Sequence, residues 1–179
     1  MSSRTILLPA AMLASILVTV VAQPKHPRPT DQTHFNAEDG VRMHSIRIPA
    51  NVLTILARDP MVSKTMHDAD PALTQPSQSW FSAAKIHLAG PEENDLLVMA
   101  EGPLLGANVV NFWVFRLTPQ GPNLVLDGPA HDLIISRTRW MGLRDVKLLS
   151  ATATRVHTVL LRFNGERFVT FSDRWEDIK

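Results

Sequence analysis

DLLVMAEGPLLGANVVNFWVFRLTPQGPNLVLD, residues 95–127, decides the fold class of this chain. The stretch contains three short apolar runs, at 96–99, 109–117 and 123–126, separated by Gly106-Ala107-Asn108 and by residues 119–122. Apolar runs of this length, bounded by Gly, Pro and Asn, are typical of β-strands joined by tight turns. The stretch therefore predicts an antiparallel meander.

Apolar runs on both sides of this stretch predict further strands. They cover residues 80–88, 132–138, 144–150, 152–163 and 166–171, which brings the predicted total to about eight. Asn164-Gly165 predicts a two-residue hairpin turn, because both residues tolerate positive φ. Trp140-Met141-Gly142 predicts another turn.

One helical segment is predicted upstream of the strands. Pro49 suits the first turn of a helix, where its missing N–H costs nothing, and Pro60 ends the run. The apolar face between them consists of Val52, Leu53, Ile55 and Leu56. Residues 61–66 allow a second helical turn or two. The predicted fold class is α+β, with a short N-terminal helix and an antiparallel β-meander in a single domain over residues 40–179.

An internal repeat is visible within the predicted strands. Residues 94–100 match 144–150, 112–116 match 158–162, Gly121 matches Gly165, and 124–126 match 167–169. Each copy places an Asp at a strand entry and follows it with two further strands joined by a glycine turn. This pattern predicts two related units that share one core. The alternative is that two unrelated meanders align this well by chance.

The N-terminal 22 residues have the layout of a secretory signal peptide. Arg4 supplies a positive charge, residues 6–21 are almost wholly apolar, and Val20-Val21-Ala22 suits cleavage before Gln23. The alternative is an uncleaved anchor, but Pro9 interrupts a run that is shorter than the ~20 residues a spanning helix needs. We predict no stable membrane span after cleavage, and a flexible lead-in over residues 23–39, which are rich in proline and polar residues.

Composition narrows the classes of function. The chain has no cysteine, which argues against a disulfide scaffold, thiol catalysis and Cys-ligated metal sites. Without Arg4, 17 Lys and Arg balance 17 Asp and Glu, and no basic run stands out. Nucleic-acid binding needs clustered positive charge, so we do not expect it. A cysteine-free exported chain favours a periplasmic or secreted bacterial protein.

The repeated unit resembles the FG-GAP or VCBS-type blade of bacterial surface proteins and integrin heads. In those blades a loop rich in Asp, Asn and Gly binds calcium before the first strand. Residues 92–95 and 141–145 lack the six to eight oxygen ligands that calcium takes, so we expect neither a metal nor a cofactor. Residues 80–171 also resemble small exported bacterial proteins of unknown function, through Trp80-Phe81, GAN followed by FWVF, and a late Phe-Asn-Gly turn. That resemblance implies fold and location, and no activity.

The most distinctive candidate site is the turn at 106–108 with the strand that follows it. Asn108, Asn111 and Trp113 place amides beside a planar aromatic ring, a combination that suits sugars and peptide chains. The alternative is structural: Asn108 satisfies its own backbone in a turn, and Phe112 or Trp113 belongs to the core.

His131 with Asp127, Asp132 and Asp145 is a candidate acid–base cluster. A Ser-His-Asp hydrolase needs an activated serine in a strained turn, and no G-x-S-x-G motif is present. Nothing marks a pair of carboxylates suited to glycoside hydrolysis either. The alternative is that these Asp residues cap strand ends. No catalytic residue is assigned.

Histidines and arginines give weaker signals. Histidines 44, 67, 87, 131 and 157 show no H-x-H or H-E-x-x-H spacing, so no zinc site is predicted. Arginines 116, 137, 139, 144, 155 and 162 either form an anion-binding patch or pair with acidic residues on an open sheet face.

Three hypotheses for function remain. The leading one is an exported, non-catalytic binding module of the bacterial envelope, whose partner is a protein, a peptide or a glycan. The second is a small envelope hydrolase that uses His131 and nearby carboxylates. The third is a structural envelope protein without a specific ligand. Burial of both Phe112 and Trp113 would exclude the predicted binding site.

Overall fold

The computed structural model describes residues 32–90, 93, 95–106 and 109–178. The predicted signal peptide, residues 23–31 of the predicted lead-in, and Asn108 lie outside these ranges. The described residues form two α-helices and nine strands, and the strands make two antiparallel sheets. The prediction of an α+β fold built on a β-meander is confirmed.

The first sheet contains the stretch that decided the fold. Its strands are β2 (Phe81–Ile86), β3 (Asp95–Ala100), β4 (Val110–Thr118) and β5 (Gly121–Ala130). They pair in sequence order, each antiparallel to the next. All six residues of β3 are buried. The first sheet is therefore covered on both of its faces, which explains why its sequence reads as continuous apolar runs rather than as an alternation.

The second sheet contains β6 (Asp132–Trp140), β7 (Leu143–Ala151), β8 (Arg155–Phe163) and β9 (Phe168–Asp177), again paired in sequence order. A short strand, β1 (His34–Asn36), adds to its edge beside β6. The prediction of a flexible lead-in up to residue 39 is therefore wrong for residues 34–36. Phe35 is fully buried opposite Leu133, and backbone pairing with β6 together with a contact between His34 and Asp132 also holds this segment, whose composition is otherwise that of a loop.

Two helices, not one, precede the first sheet: α1 (Ala50–Leu56) and α2 (Pro60–Ala69). Pro60 ends the first apolar run, as expected, but it also occupies the first position of α2, where proline is favoured. Asp59 caps α2, because its Oδ1 accepts from the backbone N–H groups of Met61 and Val62. Neither described helix has the length and apolar character needed to cross a bilayer.

The first sheet lies between the helices and the second sheet. On one face, the indole Nε1 of Trp113 in β4 donates a hydrogen bond of 3.0 Å to Asp59 at the start of α2. On the other face, a Cβ at Gly128 of β5 would lie 3.8 Å from a methyl group of Leu148 in β7. The second sheet thus uses one face for packing and leaves the other accessible.

The hairpin at Asn164-Gly165 is wider than predicted. Phe163 pairs with Phe168, so the connection has four residues, 164–167. The side chain of Asn164 explains the difference, because its Oδ1 accepts from the N–H groups of Glu166 and Arg167 and holds the wider turn.

A two-residue hairpin turn lies at Met141-Gly142, between the paired residues Trp140 and Leu143. Both turn residues have positive φ, 48° at Met141 and 83° at Gly142. Two-residue hairpins favour this conformation because it matches the twist of the strands, but a residue with a Cβ is strained there unless it is Asn or Asp.

We expect Met141→Asn to raise the free energy of unfolding by about 1 kcal/mol, because asparagine tolerates this conformation. The side chain of Met141 is 62% exposed, so its loss removes little packing. Urea unfolding of the wild type and the variant measures the change. Met141→Ala is the control, because alanine keeps the Cβ and should not stabilise; equal stability of the two variants would contradict the prediction.

Candidate ligand-binding face

The structure does not place Trp113, the aromatic residue of the predicted site at Asn108, Asn111 and Trp113, at the surface. Phe112 and Trp113 are both fully buried, and Asn111 is half-buried opposite Pro129. The ring of Trp113 packs edge-on against Phe81, with 5.8 Å between centroids. The prediction that Trp113 contacts a ligand is wrong, because the layer of helices covers the face of β4 to which its side chain belongs.

His131 has a structural role at the point where the chain turns from one sheet into the other. It lies between β5 and β6, where the chain passes from the first sheet to the second. Its backbone N–H donates to the carbonyl of Leu149 (2.8 Å), and its Nδ1 accepts from the N–H of Ala151 (2.9 Å). These bonds hold the ring against the end of β7.

The three carboxylates proposed to act with His131 have other partners. Asp132 contacts Nε2 of His34 at 2.6 Å, and Asp127 accepts from Arg167 at 3.2 Å. Asp145 lies within β7, close to Thr138 of β6. Within the described ranges, no carboxylate is hydrogen-bonded to His131. His131 and Asp132 line one cavity of about 530 Å³, whereas Asp127 and Asp145 do not line it, so the predicted cluster is brought together only in part.

Two carboxylates, Asp95 and Asp145, are the buried charged residues of the described chain. Asp95 is fully satisfied: its Oδ2 accepts from the N–H of Leu88 (3.1 Å) and its Oδ1 from Nε of Arg116 (3.4 Å). Arg116 also donates to Glu93 (2.6 Å). Burial raises the pKa of Asp95 above its usual 3.8, although the Leu88 N–H and the Arg116 guanidinium act in the opposite direction.

Asp145 is less well satisfied than Asp95. Its Oδ2 accepts from the hydroxyl of Thr138 (2.7 Å) and lies 3.6 Å from Nε of Arg162. Its Oδ1, the Nε of Arg162 and the hydroxyl of Ser136 are buried without a hydrogen-bond partner among the described residues. Buried polar atoms are normally paired, so three such atoms near one another mark an unusual place in the fold.

These three residues line a cavity of about 490 Å³ on the accessible side of the second sheet. Ser136, Asp145 and Arg162 come from β6, β7 and β8, so the cavity lies in the middle of the sheet rather than at its edge. Half-buried Ile134 and Leu160 contribute apolar surface. The cavity therefore combines a buried donor and acceptor with an apolar lining.

Aromatic rings flank the guanidinium of Arg162. Its Cζ lies 3.6 Å from the centroid of the Phe171 ring and 5.1 Å from that of Trp140. Both distances are within the range of cation–π attraction. Phe171 is 58% exposed and Trp140 50% exposed. We call this region the open face; it consists of the half-exposed rings of Trp140 and Phe171, which do not line the cavity, together with the more deeply placed Ser136, Asp145 and Arg162.

A second aromatic cluster lies near the ends of β8 and β9. His157 stacks on Trp175 with ring centroids 4.3 Å apart, and its Nε2 contacts Asp173 at 2.6 Å. Arg155 lies over the other ring of this pair, Trp175, and contacts Asp177. The polar groups of this cluster have partners within it, which distinguishes it from the open face.

Among the described residues, no group of three or more His, Asp or Glu side chains is placed to hold a metal ion. Asp95, from the acidic segment 92–95, is occupied by Leu88 and Arg116. Asp145, from the segment 141–145, contacts Thr138 and Arg162.

Sequence reasoning missed the open face. Its five residues are spread over positions 136–171, and no local motif joins them. The repeat carried a usable signal, because it aligned Asp95 with Asp145 and Arg116 with Arg162. Trp140 and Phe171 had no signal of their own, since an aromatic residue in a strand usually belongs to the core.

Comparison of this chain with family models, curated proteins and solved structures gives no match. The resemblance to FG-GAP or VCBS-type blades stays a prediction.

Proposed function

We propose that this chain is an exported, non-catalytic binding module of the bacterial envelope, and that the open face contacts its ligand. The observation that carries the proposal is the pairing of two half-exposed aromatic rings with a buried, incompletely satisfied Asp–Arg pair. Exposed aromatic residues grouped around an arginine are characteristic of binding surfaces.

The first sheet offers a comparison within the same chain. Its buried pair, Asp95 and Arg116, is completed by Leu88 and Glu93. Among the described residues, the pair on the open face has neither a second carboxylate like Glu93 nor a helix or sheet that covers it. The fold completes the hydrogen bonds of the Asp–Arg pair in the first sheet but leaves those of the pair in the second sheet incomplete. This difference supports a role in recognition for the pair in the second sheet.

Location is proposed from the sequence. The signal-peptide pattern of residues 1–22 and the absence of cysteine support export to the periplasm or beyond, where proteins, peptides and glycans of the envelope are available as partners. The contacts of His131, Asp127 and Asp132 give no support to a hydrolase. The proposal therefore depends on the open face.

We also propose that the two meanders are related units. In each, a buried Asp lies at or near the start of the second strand, as the first residue of β3 and the third of β7, and an Arg of the third strand lies beside it. Each also has a register shift in its last hairpin, at Val114/Phe115 and at Leu160/Leu161. The pairing supports a different match for the final strands: 124–126 correspond to 170–172 rather than to 167–169.

Thermal unfolding of the purified protein with a bacterial envelope fraction tests the binding function. A ligand that binds only the folded state raises the midpoint, by about 2.7 kcal/mol of stabilisation at a hundredfold excess over its dissociation constant. We expect the shift to disappear in Trp140→Ala, because this change removes one of the two exposed rings.

Trp175→Ala is the matched control. Trp175 is 49% exposed, close to the 50% of Trp140, but it belongs to the cluster with His157. It should keep the ligand-induced shift. An equal shift in wild type and Trp140→Ala would show that the open face is not the binding surface. No shift in any variant would favour the structural role over the binding role.

A further inference from the structure

We propose that two copies of this chain associate through β9, edge to edge and antiparallel, with Arg174 of each copy opposite Glu176 of the other. The pairing joins two five-stranded sheets into one continuous sheet of ten strands. The inference goes beyond the proposed binding function and does not depend on it. Three features of β9 support it: its open edge, the direction of its backbone groups and the order of its charges.

Among the described strands, the other three sheet edges are protected in ways common in proteins. β1 has only three residues. β2 is covered by residues 44–46, which exchange backbone hydrogen bonds with it. β5 contains Pro122 and Pro129, whose nitrogens have no hydrogen to donate to a further strand. These three edges therefore offer little to an incoming strand.

The edge at β9 has none of these protections. β9 is ten residues long, contains no proline, and is paired on its outer side with none of the described strands. Exposed apolar side chains are also concentrated here, since Val169, Phe171 and Trp175 belong to β9 and Ile178 follows it. A long edge strand with exposed apolar residues is suited to pair with another strand.

The backbone groups of β9 alternate in direction. In an antiparallel ladder, residues that exchange hydrogen bonds with the neighbouring strand alternate with residues whose backbone groups point away from it. The N–H of Ile178 donates to the carbonyl of Thr154 at 2.8 Å, and the pairing of residues 172–177 with β8 has no register shift. The backbone groups of residues 173, 175 and 177 therefore point outward, toward an incoming strand.

An antiparallel second copy can use these outward groups with Trp175 opposite Trp175 of the other copy. This register places Arg174 opposite Glu176 of the other copy, and the two-fold symmetry forms the same pair twice. Both residues are exposed, and neither has an ion-pair partner among the described residues. Opposite charges that face each other across an antiparallel pair stabilise it.

The order of charges in β9 selects this register. A two-fold axis through Asp173, Arg174, Glu176 or Asp177 would place that residue opposite itself, and like charges in this position are destabilising. An axis through Trp175 avoids this and pairs Arg with Glu. The charges on this edge therefore oppose most incoming strands but are complementary to an antiparallel copy of the same strand.

The opposite side of the paired strands carries Trp175 and two carboxylates. In this register Asp173 lies opposite Asp177 of the other copy, but each carboxylate already has a partner on β8. Asp173 contacts Nε2 of His157 at 2.6 Å, and Asp177 contacts Nε of Arg155 at 3.0 Å. These contacts moderate the repulsion between the two carboxylates. The ring of Trp175 is 49% exposed and loses contact with water when the copies meet, which favours association.

The proposed dimer presents its two open faces together. Arg174 lies on the same side of the sheet as the open face, because Ser172 pairs with Leu160, which lines the cavity there, and side chains two residues apart share a face. The two-fold axis is perpendicular to the sheet, so both open faces lie on one side of it. A ligand with repeated units can contact both.

Sedimentation velocity of the purified protein over a series of concentrations tests the association. We expect the wild type to change from the mass of one chain to that of two as its concentration rises. Arg174→Glu and Glu176→Arg should each raise the dissociation constant about tenfold or more, because each change places two like-charged pairs in the interface. Arg47→Glu is the matched control, since it reverses an exposed charge outside β9 and should associate as the wild type does.

A mixture of the two interface variants tests the register itself. Combining Arg174→Glu with Glu176→Arg in equal amounts restores opposite charges at both positions, so a mixed dimer should form at concentrations where neither variant associates alone. Circular dichroism checks that both variants fold. If either does not, hydrogen exchange of the wild type takes its place, and the outward N–H groups of Trp175 and Asp177 should exchange more slowly at high concentration than at low concentration.

The outcomes separate the second copy from other occupants and from the binding function. A wild type that stays monomeric overturns the proposal, and so does a dimer that persists in both interface variants or a mixture that does not associate. Slower exchange of the β9 amides only after an envelope fraction is added identifies a foreign strand and overturns the second copy. The thermal shift given by the envelope ligand should persist in Arg174→Glu, so the failure of one proposal leaves the other standing.

Discussion

Trp113→Ala is expected to lower the free energy of unfolding by about 3–5 kcal/mol, the usual cost of removing a large buried aromatic side chain. Trp113 is fully buried in β4, packs edge-on against Phe81 and donates to Asp59. The variant would leave a cavity between the first sheet and the helices, and it would remove a donor from the residue that caps α2.

Trp113→Phe separates the contribution of ring packing from that of the hydrogen bond to Asp59. Phenylalanine keeps most of the ring but has no N–H for Asp59, so a loss of about 1–2 kcal/mol is expected, mainly from the hydrogen bond. Urea unfolding followed by far-ultraviolet circular dichroism measures both variants. Trp175→Ala, an exposed tryptophan, provides the reference for a small effect.

Ligand binding gives a second readout for Trp113. Trp113→Phe should bind the envelope ligand as the wild type does, since the open face lies on the second sheet. Lost binding with near-native stability would reinstate the site predicted at Asn108, Asn111 and Trp113. A stability close to wild type in Trp113→Ala would contradict the core role.

Asp95→Ala is expected to cost about 3 kcal/mol, at the lower end of the range for removing one partner of a buried ion pair. The change takes the acceptor from the Leu88 N–H and a carboxylate from Arg116, which retains Glu93. The matched variant is Asp145→Ala, in the second sheet. We expect a smaller loss there, about 1–2 kcal/mol, because only one oxygen of Asp145 has a hydrogen-bond partner among the described residues.

The pH dependence of stability gives an independent check on Asp95. Burial raises its folded-state pKa above 3.8, so the folded state binds the proton more tightly than the unfolded state does. The stability that this difference contributes is fully present below pH 3.8 and is lost as pH rises through the raised pKa. Asp95→Asn removes this titration and keeps an acceptor for Leu88.

The expected result is that the stability of the wild type, relative to Asp95→Asn, falls as pH rises from 3.8 through the folded-state pKa and then levels off. Urea unfolding of both proteins across this interval measures it. A relative stability that rises with pH would mean that Arg116 and the Leu88 N–H outweigh burial, and would overturn the assigned cause.

Equal losses of stability in Asp95→Ala and Asp145→Ala would contradict the expected difference between the two buried Asp–Arg pairs.

The positions of the strands could be predicted because their signals are local. Pro, Gly and Asn mark the turns, and apolar runs of strand length lie between them, so each of the eight predicted strands has a counterpart in the two sheets. Errors arose where tertiary or side-chain contacts override composition. Phe35 places a loop-like segment in a sheet, and the side chain of Asn164 widens a turn that its sequence predicts to be tight.

The sequence by itself determined the fold class and the order of the strands along the chain. It could not determine which face of each strand is covered. Trp113 and Trp140 both lie in strands, yet one is fully buried and the other is half-exposed. Helices and a second sheet cover the strand of Trp113, whereas one side of the second sheet has no covering layer among the described residues. Burial depends on the layers that meet at a strand, and those layers come from distant parts of the chain, so only the tertiary structure distinguished a core residue from a candidate binding residue.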